Sequence, residues 1–319
     1  MQISLSYKSK QFFWLLIKLT IVFGCVFFIY QKLFLNSDVN FSELSFQLMQ
    51  HHIFSFQNLC ILVVFSVLNW VFEILKWKSL VNSIKNISFL DASIQCLSSL
   101  TASLITPNRI GEYGAKAIYF EKSLRKKIVG FNLIGNFYQL IATLFFGSIG
   151  FVYFASTHKI NFDFSSVFGV IFILILVFGF FFFLIKSFQS GKNYLQKIKA
   201  FIYKISFATN FKTIVFSFLR YLVFSHQFYF LLMLFNLQIE YVAAISAITS
   251  VYLIASIVPM LSFFDVVLKG SIAVWIFTFF QIDTMSILTI VSVMWMLNFA
   301  IPAIIGSYFV ISFTPNFQE

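Results

Sequence analysis

Two short stretches hold most of the residues in this chain that could do chemistry. In the first, Thr106-Pro107-Asn108-Arg109-Ile110-Gly111-Glu112-Tyr113-Gly114 leads to Lys116; in the second, Ala255-Ser256-Ile257-Val258-Pro259 leads to Asp265 and Lys269. Each reads proline, a short turn, an acid, and a lysine four residues later. Residues i and i+4 share a helix face, and acid before lysine is the favourable order. An acid near a helix start also gains from the helix dipole. Two self-neutralising ion pairs are one account of the pattern. The other is an anion site: Gly111 and Gly114 let backbone approach a ligand, amides at the start of a half-helix point at it, and the planar guanidinium of Arg109 suits phosphate. Pairing with Glu112, one turn on, is the competing role for Arg109.

Further polar residues fall on apolar segments. Asn132, Asn136, Gln139 and Thr143 occupy i, i+4, i+7 and i+11, one stripe that must face protein or water rather than lipid. Interhelical hydrogen bonding and a substrate cavity explain it equally well. Arg220 and Gln227 share a face, with His226 beside them as a packed hydrogen-bonder. Glu73 and Lys76 read as a local pair with a snorkelling lysine. His51-His52 lacks the partners of a zinc site, and Cys25, Cys60 and Cys96 show no paired spacing, so neither a metal nor a disulfide framework is expected. No phosphate-binding loop, nucleophile elbow or dinucleotide fingerprint is present, and no catalytic residue or cofactor is assigned.

Lipid-spanning helices must position these residues. Of 319 residues, 60% are hydrophobic and 10% charged, with 48 Phe; a soluble domain carries about a quarter charged residues. The net charge of +11 lies between apolar spans rather than on one basic face, which argues against a nucleic-acid partner. A span needs about 20 apolar residues. Full spans are expected at Phe12–Leu35, Leu59–Trp77, Ile128–Ala155, Ser165–Ile185, Thr213–Phe235 and Met285–Ile311, and broken segments at Phe89–Phe120 and Val242–Gln281. The segment Lys186–Lys212 alternates lysines with apolar residues, as an amphipathic helix on the anionic leaflet does; a solvated connector is the alternative.

Loop charge sets the orientation. Fifteen Lys and Arg cluster at the N-terminus, after the second span, after the first broken segment and between 186 and 212, whereas the alternate loops hold only Lys159. Both termini are therefore expected in the cytoplasm. The cluster at Lys122–Lys127 then requires Phe89–Phe120 to return to the side it left, yet Ile110–Phe120 is too short for a second crossing. A re-entrant helical hairpin results, with its Pro107 turn at a cavity. The order span, span, broken segment, span occurs twice, offset by about 152 residues. Because the second copy starts outside, the architecture is an all-α inverted repeat, 1–157 and 158–319, with about six full spans and two opposed hairpins whose turns meet near the midplane.

The Leu104–Ala117 stretch with its Pro, Arg, Gly-Glu and Lys, the Lys76-Trp77 pair and the region around Pro259 resemble the flippase-like membrane family that includes the transmembrane half of lysylphosphatidylglycerol synthases. In the second half, Met260-Leu261-Ser262-Phe263-Phe264 replaces the family's glycine-rich turn before Asp265. With the chain ending at Glu319, no cytoplasmic aminoacyltransferase domain is expected. The resemblance implies movement of lipid-linked or amphipathic anions between leaflets.

A multi-pass transporter of the cytoplasmic membrane is thus the expected function, acting on anionic or polyprenyl-phosphate-linked lipids. Arg109 and Lys116 would hold the anion, Lys269 and Arg220 would receive it, and Glu112 and Asp265 would neutralise the empty site. Asn108, Asn132, Asn136 and Gln139 complete the candidate lining. A membrane-embedded lipid-modifying transferase, or an assembly subunit for a partner enzyme of envelope lipid synthesis, are the alternatives.

Overall fold

The computed structural model describes residues 7–34, 41–51, 53, 55–104, 106, 109–158, 205–257 and 265–314. All regular structure among them is helical: α1 Tyr7–Phe34, α2 Phe41–Gln50, α3 Phe56–Val81, α4 Phe89–Leu104, α5 Ile110–Ile118, α6 Lys122–Thr157, α7 Phe207–Leu234, α8 Tyr241–Ile257, α9 Asp265–Thr278, α10 Thr284–Trp295 and α11 Ile301–Ser312. A π-helical turn at Met296–Ala300 joins α10 to α11. The helices Phe56–Val81, Lys122–Thr157, Phe207–Leu234 and Thr284–Ser312 are long and apolar enough to cross a membrane. The molecule is a helical membrane protein.

Local chemistry sets several helix starts. Ser206 and Asp283 accept the N–H groups of Thr209 and Ser286 at 3.2 and 3.0 Å, each satisfying one amide that its helix leaves open. Along α6, Leu133, Phe137, Leu140, Leu144, Ile149 and Val152 are exposed, while Ile128, Phe131, Gly135, Ala142, Gly150 and Phe154 are buried. That helical spacing divides a lipid-compatible face from a packed one.

The two broken segments are helix pairs, α4 with α5 and α8 with α9, as expected. The Pro107 and Pro259 turns, Asn108, the span Ser165–Ile185 and most of the Lys186–Lys212 segment lie outside the described residues. Two features add to the expected elements. The loop between the first two expected spans contains α2, whose Leu48 is buried while Phe46 and Met49 are exposed; ten residues are too few for a span, and a hydropathy reading passes over them. The closing span is present as expected, over Thr284–Ser312, and carries one π turn for a reason that lies in Pro302.

Packing pairs recur between the halves. Helix α6 packs on α8 and α11 on α4; α5 packs on α6 and α9 on α10; α3 packs on α7. Exchanging α3 with α7, α4 with α8, α5 with α9 and α6 with the α10–α11 span maps these contacts onto one another. Glycine makes the closest of them possible. A Cβ at Gly150 would strike Thr249 of α8, and one at Gly306 would strike the Leu97 carbonyl and Thr101 of α4. The hydroxyl of Thr101 in turn donates to the Ala303 carbonyl at 2.8 Å. One apolar core gathers around Trp77, Leu80, Ile128 and Phe131, and another around Leu231, Ile248, Phe277 and Ile290.

Candidate functional site

Beside the second of these cores lies a cavity of about 270 Å³. Arg109 from the start of α5, Arg220 from α7 and Lys269 from α9 all line it. Asn69, Gln139, Thr143 and Ser256 add neutral polar groups, and Tyr221, Phe224, Tyr252 and Phe299 add aromatic faces. No carboxylate is in the wall among the described residues. Arg109 Cζ and Lys269 Nζ sit 5.8 and 5.5 Å from the centroid of the Phe299 ring, so cations from both broken segments share one aromatic side chain.

The backbone at Arg109 is unusual. Its φ of 56° and ψ of 29° are left-handed, which costs a residue with a Cβ about 1–2 kcal/mol. Arg109 gives its helix no side-chain cap; the Thr106 hydroxyl instead accepts the Gly111 N–H at 2.8 Å. The guanidinium is thereby released toward the cavity, where its side chain is 41% exposed. Gly111 has a different use from the one its sequence position suggested. A Cβ there would strike the Ala102 carbonyl and Thr106, so the glycine lets α5 close onto α4; at Gly114 a Cβ would meet open space.

Arg220 belongs to a buried network joining α3, α7 and the π turn. Its Nη1 lies 2.5 Å from Glu73 Oε2, and its Nε donates to Asn69 Oδ1 at 3.0 Å. Asn69 Nδ2 donates to Asn298 Oδ1 at 2.8 Å, and Asn298 Nδ2 donates to Gln227 Oε1 at 2.8 Å. Gln227 Nε2 ends the chain on Ser66 Oγ at 2.8 Å and the Leu62 carbonyl at 3.1 Å. Such groups cannot be left unpaired at membrane depth. The π turn has the same logic. In a continuous α-helix the Asn298 carbonyl would accept from residue 302, but Pro302 has no N–H. The Trp70 indole N–H donates to that carbonyl instead, at 3.2 Å.

The expected site residues divide into two groups. Arg109, Gln139, Arg220 and Lys269 meet at the cavity. Gln139 Nε2 donates to the Ser217 carbonyl at 3.4 Å, and its Oε1 has no hydrogen-bond partner among the described residues. Glu112, Lys116, Asn132 and Asn136 lie behind the wall. Lys116 Nζ donates to Glu112 Oε1 and Asn132 Oδ1, both at 2.8 Å, and stands 4.4 Å over the Trp77 ring. Asn136 donates to Tyr113 Oη at 3.2 Å. The asparagine stripe is thus interhelical glue at its end near Lys122–Lys127 and cavity wall further along. Asn108 and the Asp265 side chain lie outside the described residues. His226 is bonded to the Leu222 carbonyl and Tyr241 Oη at 2.7 and 2.9 Å, a packing role.

Lys76 does not snorkel. Its amine is buried, 2.6 Å from Glu73, and Glu73 also serves Arg220. The local pair forms as expected, but an i,i+3 spacing says nothing of a third partner arriving from another helix. Asn69, Trp70, Asn298 and Phe299 were missed as well. A signal existed for the first: Ser66, Asn69, Glu73 and Lys76 form a polar stripe on α3 at steps of three and four. Asn298, the one amide side chain in a mostly apolar span, gave none beyond its polarity. No protein-family model matches the chain, and neither a curated protein nor a solved structure matches it.

Proposed function

We propose that the protein is a flippase-like transporter of a phosphate-bearing or lipid-linked anion, related to the membrane half of lysylphosphatidylglycerol synthases and seated in the cytoplasmic membrane. One observation carries this reading: Arg109, Arg220 and Lys269, cations from three separate helices, line a single cavity whose described wall holds no carboxylate. Charged residues at membrane depth are costly, about 2.5–3.5 kcal/mol each on insertion scales, so three converging cations argue for an anionic ligand. Aromatic and neutral polar groups beside them fit an amphipathic headgroup whose tails remain in lipid.

The finer topology belongs to the same proposal. Helix pairs α4–α5 and α8–α9 are opposed re-entrant hairpins, both termini are cytoplasmic, and an inverted two-fold repeat relates the halves. The exchangeable packing pairs support it, as does the meeting of Arg109 and Lys269 on Phe299. Discontinuous helices that place half-helix ends around a midplane site are the usual transporter design.

Lipid retained through purification tests the reading. Mass spectrometry of the purified protein is expected to find a phosphate-bearing lipid enriched over its share in the source membrane, and depleted in an Arg109→Ala, Lys269→Ala double variant. Lipid in bulk proportions from both proteins would count against it.

A further inference from the structure

Two of the cavity cations stand in front of the same construction. Glu73 has Arg220 at 2.5 Å on the cavity side and Lys76 at 2.6 Å behind it. Glu112 has Arg109 at 3.8 Å on the cavity side and Lys116 at 2.8 Å behind it. Both lysine side chains are 2% exposed and neither lines the cavity. Each glutamate therefore offers one negative charge to two cations. An arginine–glutamate pair alone would satisfy the acid and leave the wall neutral, and burying a further ammonium is costly unless its charge is used. The buried lysine neutralises the acid from behind, so the arginine keeps its charge for the cavity.

The count fixes the valence. Arg109, Arg220, Lys76 and Lys116 against Glu73 and Glu112 leave +2 at the cavity, apart from any contribution of Lys269. A phosphodiester brings one negative charge, whereas a phosphomonoester brings about −1.5 to −2 near neutral pH, its second pKa being about 6. A zwitterionic headgroup would also bring its own cation against the arginines.

We propose that the cavity selects headgroups carrying at least two negative charges, a phosphomonoester or a pyrophosphate, and that Lys76 and Lys116 set this selectivity from behind the glutamates without touching the ligand. The proposal rests on the anion-cavity reading given above. It covers a lipid headgroup and a soluble phosphate alike, since both present the same chemistry.

Calorimetric titration of the full chain in lipid nanodiscs tests it with methyl phosphate against dimethyl phosphate, and with phosphatidic acid against phosphatidylglycerol. The monoester is expected to bind about tenfold or more tightly than the diester, the smallest effect one extra charge should have in a partly desolvated site. Methyl phosphate affinity should rise from about pH 5 to about pH 7.5 as its second proton leaves, while dimethyl phosphate stays flat. Lys116→Gln should erase most of the preference, and Glu112→Gln with Lys116→Gln should restore it, since that pair of changes leaves Arg109 without a competing acid. Should Lys116→Gln fail to fold, the pH profile and the monoester preference of the unaltered protein still decide. Phosphatidic acid outbinding methyl phosphate points to a lipid source and the reverse to a soluble one, and either order supports the charge rule. Equal binding of monoester and diester overturns the rule while leaving the anion cavity standing. Binding of neither overturns both.

Discussion

Asn69 Oδ1 accepts a hydrogen bond from Arg220 Nε at 3.0 Å, although 151 residues separate the two. That separation is close to the offset between the two copies of the sequence pattern, so near-equivalent positions of α3 and α7 touch. Contacts between equivalent positions arise where a two-fold axis passes, and here the same contact forms part of the cavity wall. On the inverted-repeat reading the site lies on the axis, where either orientation of the halves reaches it.

Arg109 carries strain for the sake of its side chain. Arg109→Gly should raise the thermal midpoint in detergent, because relief of the left-handed backbone is worth about 1 kcal/mol, and should abolish retention of anionic lipid. Arg109→Ala should change stability by less than about 1 kcal/mol, since Lys116 still neutralises Glu112 at 2.8 Å. Arg109→Lys should weaken lipid retention although the charge is kept, because an ammonium has no bidentate fork. A strongly destabilised Arg109→Ala protein would show that neutralising Glu112 is the main task of this arginine.

The π turn offers a double-mutant test. Trp70→Phe removes the donor to the Asn298 carbonyl and should cost about 1 kcal/mol of stability. In a Pro302→Ala background residue 302 regains an N–H, and the same change should cost markedly less. Equal costs in the two backgrounds, measured by thermal unfolding in detergent, would break the link between Pro302 and the Trp70 bond.

Glycine substitutions should separate by position. Gly306→Ala and Gly150→Ala push a methyl group into α4 and α8 and should each destabilise by about 1–3 kcal/mol. Gly114→Ala meets nothing and should stabilise α5 by about 0.5–1 kcal/mol. Thermal midpoints of the three variants check the ranking.

The sequence made the helices and their breaks legible because apolar length and proline act locally. It marked Arg109, Arg220, Gln139 and Lys269, whose charge or polarity within apolar runs needs an explanation wherever they end up. It did not reveal that Lys116 and Asn132 would turn away from the cavity, since i,i+4 spacing fixes a face and not what that face meets. Nor did it reveal the Glu73–Arg220 pair, which depends on α3 and α7 crossing at one height. The pairing of Trp70 with a carbonyl freed by Pro302 has the same origin: local chemistry creates the vacancy, and tertiary packing alone decides who fills it.

Topology can be mapped with single cysteines in a background lacking Cys25, Cys60 and Cys96. Cysteines at Lys85 and Lys126, which flank the first broken segment, should both react with a membrane-impermeant maleimide from the cytoplasmic face. Cysteines at Glu240 and Asp283, which flank the second, should both react from the opposite face. Labelling of Lys85 and Lys126 positions from different faces would make Phe89–Phe120 a crossing segment and remove the inverted symmetry.

Transbilayer movement in proteoliposomes is the direct test of anion transport through the Arg109–Arg220–Lys269 cavity. Headgroup-labelled phosphate lipid placed in the inner leaflet is followed by its exposure to an external quencher, for the unaltered protein and for Arg109→Ala, Arg220→Gln and Lys269→Ala. Exchange of intact lipid is expected of the unaltered protein, and at least about a tenfold loss of each variant that still folds, since each removes a cation from the cavity wall. Exchange that is absent, or that persists undiminished when all three cations are replaced, would contradict transport through this cavity.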